Sequence, residues 1–488
     1  MTDTPVQRLV QGVQDHKRNE NDSDAHKLYR SVPGHGHHSE GKAGHDVPGV
    51  VPPGSTGVIY VSERAQANGW SEGHPEWANF GQGAPEVGHI PGSSPRPDNI
   101  SLAELSKVSG GDVNEYASTT GVKKLREAVA QYYNDTYRQG KESQYTADNV
   151  CIVPGGRAGL TRVASVIGDV YVSYTIPEYT SYDQLLSSFK RLVPIPTTLR
   201  SEDGYHLNID RLEGMVQEQG ITALFLSNPH NPTSQVIHGN ELKRMVELSR
   251  QGTTMVLDEF YEQYLYDLGE GAQVSAAEFV DNVNEDNVIL INGLTKCWRL
   301  PGWRVCWVVG PESLIRALGQ SGGFLDGGAS HVLQVAAIPL LDRERVKQDR
   351  LALQRHFRHK RDYVVDRLRK MGFEVESVPA TFYVWLDLSA LPQPLDSGLV
   401  LFEELLKEKV IVVPGQFFDL REWSPLHPSH RRNLLDSPCN HFIRLSFGPE
   451  MAQLERGLDG FERLLVRARK LVDEGKDLMK EFGKDLAR

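Results

Sequence analysis

A handful of side chains stand at spacings that chemistry can use. Lys296, in NGLTKCWRLPGWR, directly follows an apolar run, so its amine sits where a strand ends and where desolvation makes it nucleophilic toward a carbonyl. Eight residues on, Arg304 offers a planar cation that grips a phosphate through two hydrogen bonds. Asp258 ends TTMVLD, with Tyr261 three residues later. A carboxylate closing a buried strand needs a positive partner, and a protonated pyridine nitrogen is one. Asn231 follows a further run in SNPHNPTSQVI, and Gly155 and Gly156 follow another, opening a helix whose free amides attract phosphate. Each residue also has an ordinary reading. A lysine is usually a solvated charge, Asp258 suits a helix N-cap, Asn231 suits a turn beside two prolines, and a glycine pair alone says little.

The elements that must position these residues are legible as short apolar, β-branched runs alternating with amphipathic stretches. Seven runs occur between about 111 and 330: NVCIVP (149–154), DVYVSY (169–174), RLVPIP (191–196), ITALFLS (221–227), TTMVLD (253–258), NVILING (287–293) and VCWVVG (305–310). Between them lie LTRVASVIG and ELKRMVELSR, apolar at helical spacing. The pattern predicts an α/β fold: a seven-stranded, mostly parallel sheet covered by helices, with ligands at the carboxyl ends of its strands. Beyond about 335 the sequence predicts a long helix over 344–371, strands at TFYVWLDL (381–388), near VIVVPG (410–415) and at HFIRLSF (441–447), and a terminal helix. In that helix Leu454, Leu458, Phe461, Leu465, Ala468 and Val472 form a core-facing stripe. The expected division is a leader at 1–57, a large domain at 111–330, and a smaller α+β domain from 58–110 and 331–488.

Taken together, these residues resemble the aspartate aminotransferase superfamily, the class I/II branch of the fold type I enzymes that use pyridoxal 5'-phosphate (PLP). The resemblance runs from about Asn79 to Phe461, some four-fifths of the chain. NPHNPT is similar to the family's NPxNPTG, DEFY (258–261) to its Asp-x-x-Tyr, and KCWRLPGWRVCW to its cofactor-bound lysine with an arginine eight residues later. The resemblance implies that Lys296 carries PLP, that Asp258 keeps the ring nitrogen protonated, and that Asn231 and Tyr261 bond the ring's phenolic oxygen. It further implies that Gly155, Gly156, Arg157, Thr295 and Arg304 surround the phosphate. Tyr179, in PEYTSY, takes the place of the ring-stacking aromatic. Tyr116, in NEYASTTG, takes the place of a tyrosine that reaches the neighbouring subunit's phosphate, which implies a homodimer with shared sites. Gly83, in NFGQGAP, and Arg444, in HFIRLSFG, match the elements that hold the substrate carboxylate.

Three positions depart from the family pattern: Gly293 stands where many members have a phosphate-binding serine, Ser234 replaces the glycine of NPTG, and Cys306 replaces a glycine two after the arginine. DEFY also argues against the acyl-CoA-condensing relatives, which carry a histidine soon after the aspartate. The implied reaction moves an amino group between an L-amino acid and a 2-oxo acid. Alternatives on the same chemistry are an amino-acid oxidase or hydroxylase using O₂, and a lyase or cyclase; outside it stands a non-catalytic regulator on the same fold.

Composition fits a soluble enzyme. Hydrophobic residues make up 39% and charged residues 24% of 488, inside the globular range. A net charge of −11 opposes nucleic acid and anionic membranes as partners. Cys151, Cys297, Cys306 and Cys439 form neither a CxxC pair nor a disulfide framework, which fits a reducing compartment. No metal is expected. No apolar stretch reaches the roughly 18 residues that span a bilayer, and a leader carrying Asp3, Asp15, Glu20, Asp22 and Asp24 is neither secretory nor mitochondrial in type, so the expected location is cytoplasmic. Between Pro33 and Gly54 the leader holds four prolines and six glycines in 22 positions, with His35, His37, His38 and His45, a composition that reads as a solvated, flexible segment.

Overall fold

A computed structural model describes residues 57–482 apart from 169, 183–184, 186–191 and 421–436. The expected leader lies outside the described residues up to position 56, its four histidines included. The strands, in chain order, are β1 (Ala78–Asn79), β2 (Val150–Val153), β3 (Val170–Ile176), β4 (Leu192–Thr198), β5 (Ala223–Ser227) and β6 (Thr254–Asp258). They continue with β7 (Val288–Gly293), β8 (Cys306–Val309), β9 (Tyr383–Asp387), β10 (Val410–Ile411), β11 (Val413–Pro414) and β12 (Phe442–Ser446). Helices used below are α1 (Leu102–Ser109), α2 (Lys123–Tyr137), α3 (Gly156–Val166), α4 (Glu312–Leu325), α5 (Arg343–Lys370) and α6 (Met451–Asp473).

The seven apolar runs are the seven strands of one sheet, in the order β2-β8-β7-β6-β5-β3-β4. Pairings from β7 through to β4 are parallel, and β8 runs antiparallel to both β2 and β7. Every residue of β2, β5, β7 and β8 is buried, as expected of strands covered by helices on both faces. Pro194 and Pro196 fall on β4, at the sheet edge, where a missing N–H breaks no ladder. The register sets Ser227 of β5 opposite Asp258 of β6, and Asp258 opposite Ile291 of β7. The loops that begin there carry Asn231 and Lys296, so three strand ends deliver three polar side chains to one place.

A three-stranded antiparallel sheet, β11-β12-β9, sets Arg444 opposite Trp385 and Val413. VIVVPG, read from sequence as one strand, divides in two. Val410–Ile411 pairs in parallel with β1, and Val413–Pro414 pairs with β12, with Val412 buried between them. The stripe on α6 also differs from expectation. Leu454, Leu458, Phe461 and Ala468 are buried, but Leu464 rather than Leu465 is fully enclosed, and Val472 is half exposed where the helix runs past the core. Gly457 and Gly460 belong to the same buried face; a Cβ at Gly457 would lie 2.2 Å from the Phe80 ring. No helix among the described residues is long and apolar enough to cross a membrane.

Candidate active site

At the carboxyl ends of β5, β6 and β7 lies a cavity of about 390 Å³. Asn231, Asp258, Tyr261, Thr295, Lys296 and Arg304 line it, and so do Gly156, Arg157 and Tyr179 from the other side of the sheet end. Gly83 and Arg444, from segments distant in sequence, close it. Gly155 sits just behind the lining. Its φ of +104° is a left-handed conformation, and a Cβ there would fall 1.9 Å from Arg304 Nη2. The glycine therefore lets the guanidinium close over the first turn of α3, which has no side-chain cap to occupy its leading amides. Of the expected residues Gly155 and Tyr116 do not line the cavity, and Tyr116 stands on the surface, 96% exposed.

Burial governs the charges. It raises Asp258 above the ordinary carboxylate range to about 7, with the Glu178 carboxylate adding to the rise and the Phe260 amide and Lys296 opposing it. It lowers Lys296 to about 8, helped by the Arg444 guanidinium and opposed by Asp258. Lys296 Nζ donates to the carbonyl of Gly83, and its own backbone carbonyl accepts from Tyr264 Oη at 2.9 Å. A lysine brought this close to neutrality is a usable nucleophile and base near physiological pH.

Arg444 is 2% exposed. Nη1 donates to Asn231 Oδ1 at 2.9 Å and Nη2 to the carbonyl of Gly81 at 3.1 Å, while Nε has no partner. Its guanidinium lies 4.2 Å over the Tyr383 ring and 5.0 Å over Phe418. Among the described residues no carboxylate pairs with it. A buried cation held only by neutral groups is an incomplete arrangement that a carboxylate ligand completes.

Several contributors were not legible beforehand. Tyr383 stands on β9, which the sequence marked only as a strand, yet its hydroxyl is 2.8 Å from Tyr261 Oη. Phe260 walls the cavity beside Gly156, where a Cβ would come within 2.6 Å of the ring. Ser227 Oγ accepts from the Asn231 amide at 3.0 Å and donates to Glu178 Oε1 at 3.0 Å. The signal for Tyr383 was its place on the strand paired with the one carrying Arg444.

The departures from the family pattern have structural reasons. Gly293 and Cys306 face one another in the β7–β8 ladder, and a Cβ at 293 would come within 2.5 Å of Cys306 Cα and Sγ, so the close approach of the two strands requires glycine at 293. Thr295 Oγ1 is 3.2 Å from Cys306 Sγ. Ser234 adopts a left-handed backbone, at φ 64°, and its hydroxyl donates to the Tyr383 carbonyl at 2.7 Å.

Known proteins resemble the chain in sequence and fold. The sequence profile of the family described as Aminotransferase class I and II matches residues 75–460. A probable aspartate/prephenate aminotransferase of Aquifex aeolicus is 27% identical over 344 residues, covering 70% of this chain and 83% of that protein. An aspartate aminotransferase of Sulfolobus acidocaldarius is 26% identical, covering 73% and 83%. Among solved structures, the aspartate aminotransferase from Thermus thermophilus with maleate shares the fold at a TM-score of 0.65 and 21% identity, covering 84% of this chain and 97% of that one. The aromatic aminotransferase from Pyrococcus horikoshii does so at 0.64 and 21%, covering 84% and all of its own chain. With the profile spanning most of its length and the fold shared with solved aminotransferases, the chain belongs to the class I and II aminotransferase family and is a transaminase.

Proposed function

We propose that the chain binds PLP in this cavity and moves an amino group between an L-amino acid and a 2-oxo acid. The observation that carries the reading is one cavity holding a near-neutral lysine, a buried carboxyl raised to about 7, and a buried guanidinium with no anion of its own. The residues fit the cofactor's parts. Among the described residues no cation forms an ion pair with Asp258, which suits a protonated ring nitrogen. The uncapped first turn of α3, with Arg304 drawn over Gly155, suits a phosphate, and Arg157 and Thr295 extend that end. Asn231 commits Oδ1 to Arg444, leaving its amide nitrogen, with the Tyr261 hydroxyl, to donate to the ring oxygen. Tyr179, which accepts from Arg157 Nε at 3.4 Å, would flank the ring.

When bound, PLP withdraws electrons from the substrate Cα. Arg444 holds the α-carboxylate bidentately, with its free Nε and an Nη as donors. Lys296 Nζ would take the proton from Cα and deliver it to the cofactor carbon that bears the amino nitrogen, the role for which a basicity near 8 suits it. Closely packed aromatic rings, Tyr261, Tyr383 and Phe382, keep water from that end of the cavity.

The assembly we propose is supported by surfaces left open in one chain. Tyr116 is 96% exposed, Phe324 at the end of α4 is 75% exposed, and α1 has no buried residue. We read these as the face of a C2 homodimer whose two sites are shared. The large sheet with its helices forms the cofactor domain at 111–330, and the β11-β12-β9 sheet with α5 and α6 belongs to the smaller one. Cys151, Cys297 and Cys306 are buried free thiols, which supports a reducing, cytoplasmic setting. The test is a panel of L-amino acids against 2-oxoglutarate and pyruvate with O₂ uptake recorded in parallel. Formation of a new amino acid from the oxo acid supports the reading; O₂ consumption with no oxo acid required overturns it.

A further inference from the structure

The segment 81–88 lies directly against the catalytic groups. Gly81 offers its carbonyl to Arg444 and Gly83 to Lys296, and Gly83 and Ala84 line the cavity. An irregular glycine-rich stretch of this kind has little intrinsic reason to hold one conformation. What holds it is a charged cluster behind the site. Glu86 Oε1 accepts from Lys360 Nζ at 2.6 Å and lies 2.7 Å from His356 Nε2, two side chains one turn apart on α5. Lys360 is fully buried and also donates to the Gly448 carbonyl at 3.0 Å, the same carbonyl that accepts from the Glu86 amide at 2.9 Å. Arg299, three residues after Lys296, donates to the carbonyls of Glu86 at 3.2 Å and Gly88 at 2.6 Å.

We propose that Glu86 is a positioning residue: clamped by His356 and Lys360, it fixes the 81–88 segment across the cavity and thereby sets the affinity for carboxylate substrates. The cluster ties together the three pieces of chain that meet at the substrate: the segment itself, the residues after Lys296 through Arg299, and the chain leaving β12 through Gly448. Burial pushes the Glu86 carboxyl up, yet His356 and Lys360 together hold it below the ordinary range, as a load-carrying ion cluster requires. Carboxylate binding depends on Arg444 and on the backbone of 81–83, so loosening the segment weakens substrate binding while Lys296 and Asp258, fixed at strand ends, keep the chemical step.

The inference rests on the transaminase reading, and its test separates the two. The variants are His356→Gln, which keeps the ion pair, and the double change Glu86→Gln with Lys360→Met, which removes both charges so that neither is left buried alone. In the cofactor-loaded enzyme the double variant should raise KM for 2-oxoglutarate about tenfold, the worth of one charge-assisted hydrogen bond, with kcat within about twofold. His356→Gln should raise it less. Amide hydrogen exchange across 79–88 should speed up in the same order, with the bound-cofactor absorbance unchanged. Faster exchange with unchanged KM overturns the proposal, as does a fall in kcat at constant KM. If the wild type transfers no amino group, the transaminase reading fails, and unchanged exchange across 79–88 in the double variant overturns the anchor by itself.

Discussion

Replacing Arg444 with methionine separates substrate binding from stability. The arginine is buried with two neutral acceptors, one unpartnered Nε and two aromatic faces, so the ligand-free protein bears a desolvated charge without an anion. Methionine retains most of the volume and the apolar contact with Tyr383 and Phe418. It sacrifices two hydrogen bonds worth about 0.5–1.5 kcal/mol each and removes a desolvation penalty of several kcal/mol. Thermal stability without substrate should therefore stay level or rise. Binding behaves oppositely: truncating one partner of a buried, hydrogen-bonded charge pair costs about 2–5 kcal/mol, or roughly 30- to 5,000-fold in affinity at 1.36 kcal/mol per decade. Calorimetric titration of the cofactor-loaded protein with 2-oxoglutarate, beside differential scanning calorimetry, reads both quantities. A variant that binds the oxo acid as tightly as the wild type, or one that loses several degrees of Tm while keeping affinity, refutes the assignment of Arg444 as the missing carboxylate's partner.

The remaining expectations are narrower. Lys296→Ala should fold, lose the borohydride-reducible adduct and lose turnover; a covalent adduct retained at another lysine would contradict its role. Gly155→Ala forces a side chain into a left-handed backbone, at about 1–2 kcal/mol, and displaces Arg304, so apparent PLP affinity should fall about 10- to 150-fold through loss of a charge-assisted bond while Lys296 still reacts. Asp258 should make the cofactor-free protein less stable as pH rises from about 4 to 7, because the folded state keeps a proton that the unfolded chain has released. Denaturant titration should show that slope shrinking in Asp258→Asn, and an unchanged slope would remove the group from the balance. Mixing inactive Lys296→Ala chains with chains inactivated at Tyr116 should recover activity, since each mixed dimer holds one intact shared site; a fully active monomer in sedimentation ends that idea.

Sequence alone determined what is local. Each sheet strand is a short apolar run bounded by turn residues, and burial on both faces is written in the absence of alternation within ALFLS or VILING. Asp258, Asn231 and Lys296 announced themselves because each follows such a run closely, and strand ends in a parallel sheet come together whatever the rest of the chain does. The motifs around them, matched in order and spacing, made the family legible. Tertiary structure alone decided the partners of those residues. Arg444 meets Asn231 across 213 positions, and Glu86 meets His356 across 270, separations at which no periodicity or propensity links one residue to another. Tyr383 and Phe260 became cavity walls because of sheet pairing and helix approach, and VIVVPG divided between two sheets although its four apolar residues read as one strand. Gly293 shows the limit most simply: it looks like a lost feature in the linear text, and only the ladder that brings Cys306 against it makes glycine a requirement there. Hydrophobic pattern is a property of neighbours along the chain, whereas electrostatic completion and close packing belong to neighbours in space.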